Sequence, residues 1–248
     1  MSVIGTWLIT GGNKGFGLSL TKSLANKGER VFVGIRNYQD KAQFIDYKNV
    51  TPLSLDVTDR NSLLWAKKEI EAHGLNYIVN TEVVGHGDNI HTKIHNMNKT
   101  DFMRNIEINT WGPINVCSVF KSLLTPITTN NGKTSQPKII NINSLAASFT
   151  YGIVDLGRSY PISQTALNMV TKLTAHDIPE ACVVAIRPGD LDGIGIPYKI
   201  SDVFRIESQI NTPIRHEQLT EEIITMILNI SPDITGSFIT SNGKIIPW

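Results

Sequence analysis

Cysteine is scarce in this sequence: Cys117 and Cys182 are the only two in 248 residues. Both sit in apolar surroundings, so they read as small core residues of a reducing compartment and not as a disulfide framework. Long hydrophobic runs are missing too, and nothing approaches the roughly eighteen apolar residues of a membrane span. An excess of either charge is absent: 23 Lys and Arg stand against 22 Asp and Glu, a formal net charge of +1. That balance argues against nucleic acid and acidic membrane surfaces as partners. The first residues lack the charged-then-apolar pattern of a secretory signal, so a cytoplasmic chain is expected and the Asn98-Lys99-Thr100 sequon is taken as chance. His86, His91 and His95 lie close together, but no acid or cysteine completes a ligand set, and no metal is expected. Internal repeats and linkers are lacking as well. One α/β domain over residues 1–248, with a core on both sheet faces, is the expectation.

What is present begins at Thr10-Gly11-Gly12-Asn13-Lys14-Gly15-Phe16-Gly17. An apolar run, Val3 to Ile9, leads in, and an amphipathic segment with Phe16, Leu20 and Leu24 at i, i+4 spacing leads out. This is strand, glycine turn, helix. Gly11, Gly15 and Gly17 allow a tight turn, close approach of a pyrophosphate and close helix–strand packing. The free N–H groups of the helix start receive the phosphate charge. The context required of a dinucleotide-binding turn is therefore met.

Strands and helices then alternate at the spacing of parallel βαβ units. Arg30–Ile35, Val50–Leu55, Asn76–Asn80, Lys138–Ile142, Ala181–Ile186 and Gly236–Thr240 read as strands. Helices are expected over Asn61–His73, over Thr100–Leu124 with a break near Trp111-Gly112-Pro113, around Tyr160–Met169, and over Glu217–Ile230. The second strand ends at Arg36, where the adenosine ribose of a nicotinamide cofactor normally lies. No acid stands there to bind a 2′-hydroxyl, and Arg36 with nearby Lys14 suits a 2′-phosphate. The stretch 190–215 has little periodicity and is expected to be a substrate-covering loop.

The Thr-Gly-x-x-x-Gly-x-Gly spacing resembles that of the short-chain dehydrogenase/reductase family, and further motifs occur in that family's order along essentially the whole chain. Asp56-Val57 resembles its adenine-contacting pair. Asn80 opens the segment where the family has Asn-Asn-Ala-Gly, although here it reads Asn80-Thr81-Glu82-Val83. Asn109 matches the active-site asparagine, and Ser144 the substrate-binding serine. Tyr160-Pro161-Ile162-Ser163-Gln164-Thr165-Ala166-Leu167-Asn168-Met169 matches the Tyr-x-x-x-Lys signature except at the lysine, which is Gln164. Pro188-Gly189 matches the turn beside the nicotinamide carboxamide. The tail Gly243-Lys244-Ile245-Ile246-Pro247-Trp248 is similar to that of the sniffer/C-factor-like carbonyl reductase subgroup.

The resemblance implies a doubly wound, Rossmann-like parallel sheet of about seven strands with helices on both faces. It implies NADP(H) bound through Gly11, Asn13, Lys14, Gly15, Phe16, Gly17, Arg36, Asp56, Val57, Asn80, Pro188 and Gly189. The catalytic set would be Asn109 holding a water, Ser144 holding a carbonyl oxygen, Tyr160 as acid or base, and Gln164 in the lysine's place. The substrate would be a small carbonyl compound, and assembly a homodimer or homotetramer through the helices bearing Asn109 and Tyr160. Glu82 brings negative charge toward the dinucleotide, and Gln164 keeps the lysine's hydrogen bonds but not its charge. A non-redox enzyme on the same fold, catalysing a cyclisation or isomerisation, or a non-catalytic binding protein, therefore stays open beside a weakened reductase.

Overall fold

Runs such as TWLIT, RVFVGI and CVVAIR are apolar at nearly every position, the pattern of strands covered on both faces. In a computed structural model, which describes residues 5–85, 87, 91–128, 132–151, 157–189 and 216–248, they form the strands of one parallel sheet. In chain order the elements are β1 (Thr6–Thr10), α1 (Gly15–Asn26), β2 (Arg30–Ile35), β3 (Val50–Ser54), α2 (Arg60–Ile70) and β4 (Tyr77–Asn80). Then come α3 (Lys99–Ile106), α4 (Gly112–Phe120), a two-residue pair β5 (Ile127–Thr128) and β6 (Thr134–Ser135), and β7 (Lys138–Ile142). The chain ends with α5 (Ser159–Asp177), β8 (Cys182–Arg187), α6 (His216–Asn229) and β9 (Phe238–Thr240).

The sheet has seven strands in the order β3-β2-β1-β4-β7-β8-β9, as expected of the doubly wound fold. All neighbours are parallel. One face packs Trp7, Ile9, Val33, Val79 and Val184 against Leu20 and Leu24 of α1 and Ile223 and Ile227 of α6. The other packs Leu8, Ile78, Ile139 and Val183 against Leu63 and Ile70 of α2 and Val116 and Phe120 of α4. Winding reverses between β1 and β4, which opens a crevice beyond their C-terminal ends, the usual ligand position in such sheets. Among the described residues no helix is long and apolar enough to cross a membrane. The expected substrate loop at 190–215 and His86 lie outside the described residues.

The helix expected over Thr100–Leu124 is not one α-helix. α3 passes into a π-helical turn, Glu107–Trp111, before α4 resumes, and a 3₁₀ turn follows at Lys121–Leu123. Pro113 has no N–H for the Asn109 carbonyl four residues earlier, and its ring crowds that carbonyl. Widening the preceding turn relieves both, so the break falls before the proline and around Asn109.

Candidate active site

The crevice floor is the glycine turn between β1 and α1. Gly11 and Gly15 have φ of +65° and +50°, conformations that favour glycine. At Gly17 the constraint is space, since a Cβ would stand 2.5 Å from the Gly11 carbonyl oxygen and 2.5 Å from Thr81 Oγ1. Thr81, not foreseen from the sequence, closes the turn by donating to the Thr10 carbonyl at 2.6 Å. Asn13 is tied sideways, its Nδ2 donating to Asp40 at 2.5 Å. Lys14 is exposed at the cap of α1. The Phe16 side chain is core, packed with the α1/α6 face, so only its backbone is left for a phosphate.

At the rim beside the turn stands Arg36, where the sequence reading places it. Its guanidinium is already engaged: Nε lies 2.7 Å from Oε1 of Glu82. Burial pushes the Glu82 carboxyl above its usual range, Arg36 pulls it back, and Asp56 adds to the rise. Asp56 accepts from the Thr58 N–H at 2.9 Å and from its hydroxyl at 2.7 Å, which orders the turn into α2. The Val57 side chain is buried against the α4 start, where a Cβ on Gly112 would meet it at 2.7 Å. Any contact of Val57 with adenine is therefore left to its backbone.

Across the crevice, β7 delivers Asn143 and Ser144. Asn143 fixes this corner: its Nδ2 donates to Asn168 at 2.6 Å and to the Gln164 carbonyl at 3.1 Å, and its Oδ1 accepts from the Ser144 N–H at 2.7 Å. The Ser144 and Tyr160 hydroxyls lie near one another; burial raises the Tyr160 phenol above its ordinary value and the Ser144 hydroxyl works against that. Gln164, one helical turn further along α5, shares the Tyr160 face. It is wholly buried, and neither its Nε2 nor its Oε1 has a partner among the described residues.

Asn109 is brought to the same corner, but its side chain is committed. Nδ2 donates to the Val84 carbonyl at 2.7 Å and to Ser163 Oγ at 2.9 Å, while Oδ1 accepts from the Val84 N–H at 2.8 Å. The group suited to a water is instead its main-chain carbonyl, which Pro113 leaves without an α-helical donor. Ser163, also unforeseen, links Asn109 to the Tyr160 carbonyl, to which it donates at 2.8 Å. Asn80 donates to Asn141 at 2.8 Å, and its buried Oδ1 is unpartnered among the described residues. Pro188 and Gly189 follow β8, with Gly189 at φ +107°.

Two features fit a nicotinamide dinucleotide. The glycine turn leads into α1, whose first N–H groups receive no hydrogen bond from the side chain of the capping residue Lys14, and Gln164 presents an unsatisfied donor and acceptor one turn from Tyr160. At the adenosine end Arg36 is present but paired.

Comparison with known proteins agrees with this arrangement. The sequence model of the short chain dehydrogenase family matches residues 6–194. An uncharacterised oxidoreductase of Schizosaccharomyces pombe is 27% identical over 98% of this chain and 97% of its own length. The 1-hydroxy-2-glutathionyl-2-methyl-3-butene dehydrogenase of a Rhodococcus species is 26% identical over 98% of this chain and 99% of its own. Among solved structures, the carbonyl reductase Sniffer of Drosophila melanogaster superposes with a TM-score of 0.81 at 24% identity, covering 99% of this chain and 100% of that one. The NADPH-bound carbonyl reductase from chicken fatty liver gives 0.79 at 23% identity with the same coverage. At these identities the structural likeness speaks for the fold.

Proposed function

This chain belongs to the short chain dehydrogenase family, and from that premise we propose that it is an NADPH-dependent reductase of a small carbonyl compound, with slow turnover. The observation that carries the reading is the Ser144–Tyr160 hydroxyl pair, held at the C-terminal edge of the sheet beside an unsatisfied Gln164. Support for NADPH comes from Arg36 at the end of β2, from Lys14, and from the NADPH-bound chicken carbonyl reductase of the same fold.

When bound, NADPH supplies the hydride for the carbonyl carbon. The chain's own residues handle the oxygen and the proton. Ser144 donates a hydrogen bond to the carbonyl oxygen, and Tyr160 gives that oxygen its proton, which completes the alcohol. The Asn109 carbonyl holds a water through which Tyr160 is reprotonated. Gln164 offers its amide to ribose hydroxyls but brings no positive charge, so Tyr160 stays a neutral phenol near pH 7. An unperturbed tyrosine, with pKa about 10, is only about one part in a thousand ionised there, and burial lowers that fraction further. Tyr160 is thus a serviceable acid and a poor base, which favours reduction over alcohol oxidation at the proton-transfer step.

Residues 1–248 act as a single unit in this reading, with substrate selection assigned to the 190–215 stretch that follows Gly189. The enzyme works as a homo-oligomer in the cytoplasm. The test is titration with NADPH and NADH at neutral pH, then reduction of a generic dicarbonyl. NADPH is expected to bind at least about tenfold tighter, within the roughly 1.5–3 kcal/mol of a charge-assisted contact. Arg36→Ala should erase that preference, and Tyr160→Phe should abolish turnover while leaving binding intact. Failure of NADPH to bind removes the reading.

A further inference from the structure

Arg36 and Glu82 meet across the crevice rim from the ends of β2 and β4, and the pair is lopsided. The Arg36 side chain is 47% exposed and that of Glu82 only 9%. Glu82 is pressed against the glycine turn: a Cβ on Gly11 would stand 3.1 Å from both its Cα and its Cβ. A carboxylate in such a position needs a counter-charge, and Arg36 supplies it. The other charges on this rim do not replace it. Asp56, just after β3, and Asp40, tied to Asn13, are carboxylates, and Lys14 is exposed on the turn.

The consequence rests on the NADPH reading above. A ribose 2′-phosphate brings a second anion to the same guanidinium, and like charges at that spacing repel strongly in a partly buried site. With the Glu82 side chain only 9% exposed beside Gly11, neutralisation relieves the conflict without taking it from its place. We propose that Glu82 is the specificity-determining residue of the adenosine end: its carboxylate holds Arg36 in the free protein and takes up a proton when a 2′-phosphate claims that guanidinium. NADPH therefore binds with proton uptake and NADH without it.

Burial already raises the Glu82 carboxyl, and transfer of Arg36 to the phosphate raises it further. Between those two values NADPH affinity falls by up to about tenfold per pH unit as pH rises, while NADH affinity stays flat. The 2′-phosphate itself gains charge as pH rises through about 6, which acts in the opposite direction, so about pH 7.5 separates the two effects.

The experiment is calorimetric titration at that pH in buffers of different ionisation enthalpy. Wild type is expected to take up protons with NADPH, and more than with NADH, as linkage requires. Glu82→Gln should abolish the uptake and tighten NADPH at least about fivefold, the low end of typical coupling factors, with NADH little changed. The gain should vanish in an Arg36→Ala background. NADPH binding without proton uptake, or equal tightening of both cofactors by Glu82→Gln, overturns the proposal and leaves the reductase reading standing. If wild type and Glu82→Gln both fail to bind either dinucleotide, the proposal falls together with that reading.

Discussion

Gln164 has both polar atoms buried and unpartnered among the described residues, which is the costliest condition for an amide. Each unsatisfied buried group costs about 1–3 kcal/mol. Gln164→Met, close in shape and free of that cost, is expected to stabilise the cofactor-free protein by about 1–3 kcal/mol, read by urea denaturation, and to weaken NADPH binding in the same preparation. A stabilised variant with unaltered binding would mean that the amide faces no ligand. Gln164→Lys tests the other half of the role. A cation beside Tyr160 favours the phenolate, and electrostatic groups of this kind are worth about 10²–10³ in rate. In a pocket adapted to glutamine at least a tenfold gain in carbonyl reduction is the expectation, lost again when Tyr160→Phe is added. The pH profile should report the same change. Wild-type reduction depends on a protonated phenol that burial raises above the ordinary tyrosine value, so its rate should fall only in alkali, and Gln164→Lys should move that limb to lower pH.

At the scale of elements, the segment leaving β4 joins the two halves of the site. Glu82 lies against Gly11, Val84 is clamped by Asn109, and Gly85 approaches the Tyr160 ring, to which a Cβ there would come within 3.7 Å. The clamp exists because the π-turn brings Asn109 to that segment. Asn109→Ala removes three hydrogen bonds and leaves the Val84 backbone without these partners, so a loss of about 2–3 kcal/mol of stability is expected. NADPH affinity and turnover should fall together, since both ends of the segment are released. A variant that loses turnover alone would confine Asn109 to the proton path. Little of this was legible beforehand. Pro113 announced a break but not its form, because a kink and a π-turn both relieve the missing N–H. The glycine turn was legible because its constraint is local and written in consecutive residues. The Arg36–Glu82 and Asn13–Asp40 pairs were not, because they depend on how strand ends and loops are set side by side by the sheet. Phe16 and Val57 were assigned to the cofactor from motif position; their side chains lie in the core, which leaves that assignment to their backbones.

For the whole molecule, the seven-stranded parallel sheet was readable because strands buried on both faces cannot alternate, and their apolar runs stand out between helical periods. β5 and β6 passed unnoticed because two residues show no period. The surface carries a further pattern. Ile162, Met169 and Leu173 lie on one side of α5, and Met103 and Trp111 lie on the neighbouring α3 and π-turn, all of them large apolar residues exposed to solvent. Isolated exposed apolar side chains need no explanation, but a group spread over two packed helices marks an interaction face. These are the helices through which the family resemblance implies assembly, so a dimer across them is the expected solution state. Met169 and Leu173 are 57% and 55% exposed, and Met169→Glu with Leu173→Glu would bury two carboxylates in such an interface. A loss of at least about 2 kcal/mol, the threshold of an interface hot spot, corresponds to a roughly thirtyfold weaker dimer. Sedimentation equilibrium should show it, with the melting temperature of wild type, and not of the double variant, rising with protein concentration. Trp65→Glu provides the control, since Trp65 is 68% exposed on α2, away from these helices, and its loss should leave assembly unchanged. A wild-type protein that stays monomeric at tens of micromolar would remove the expected dimer, and a dimer that Trp65→Glu disrupts and the α5 variant does not would place the interface elsewhere.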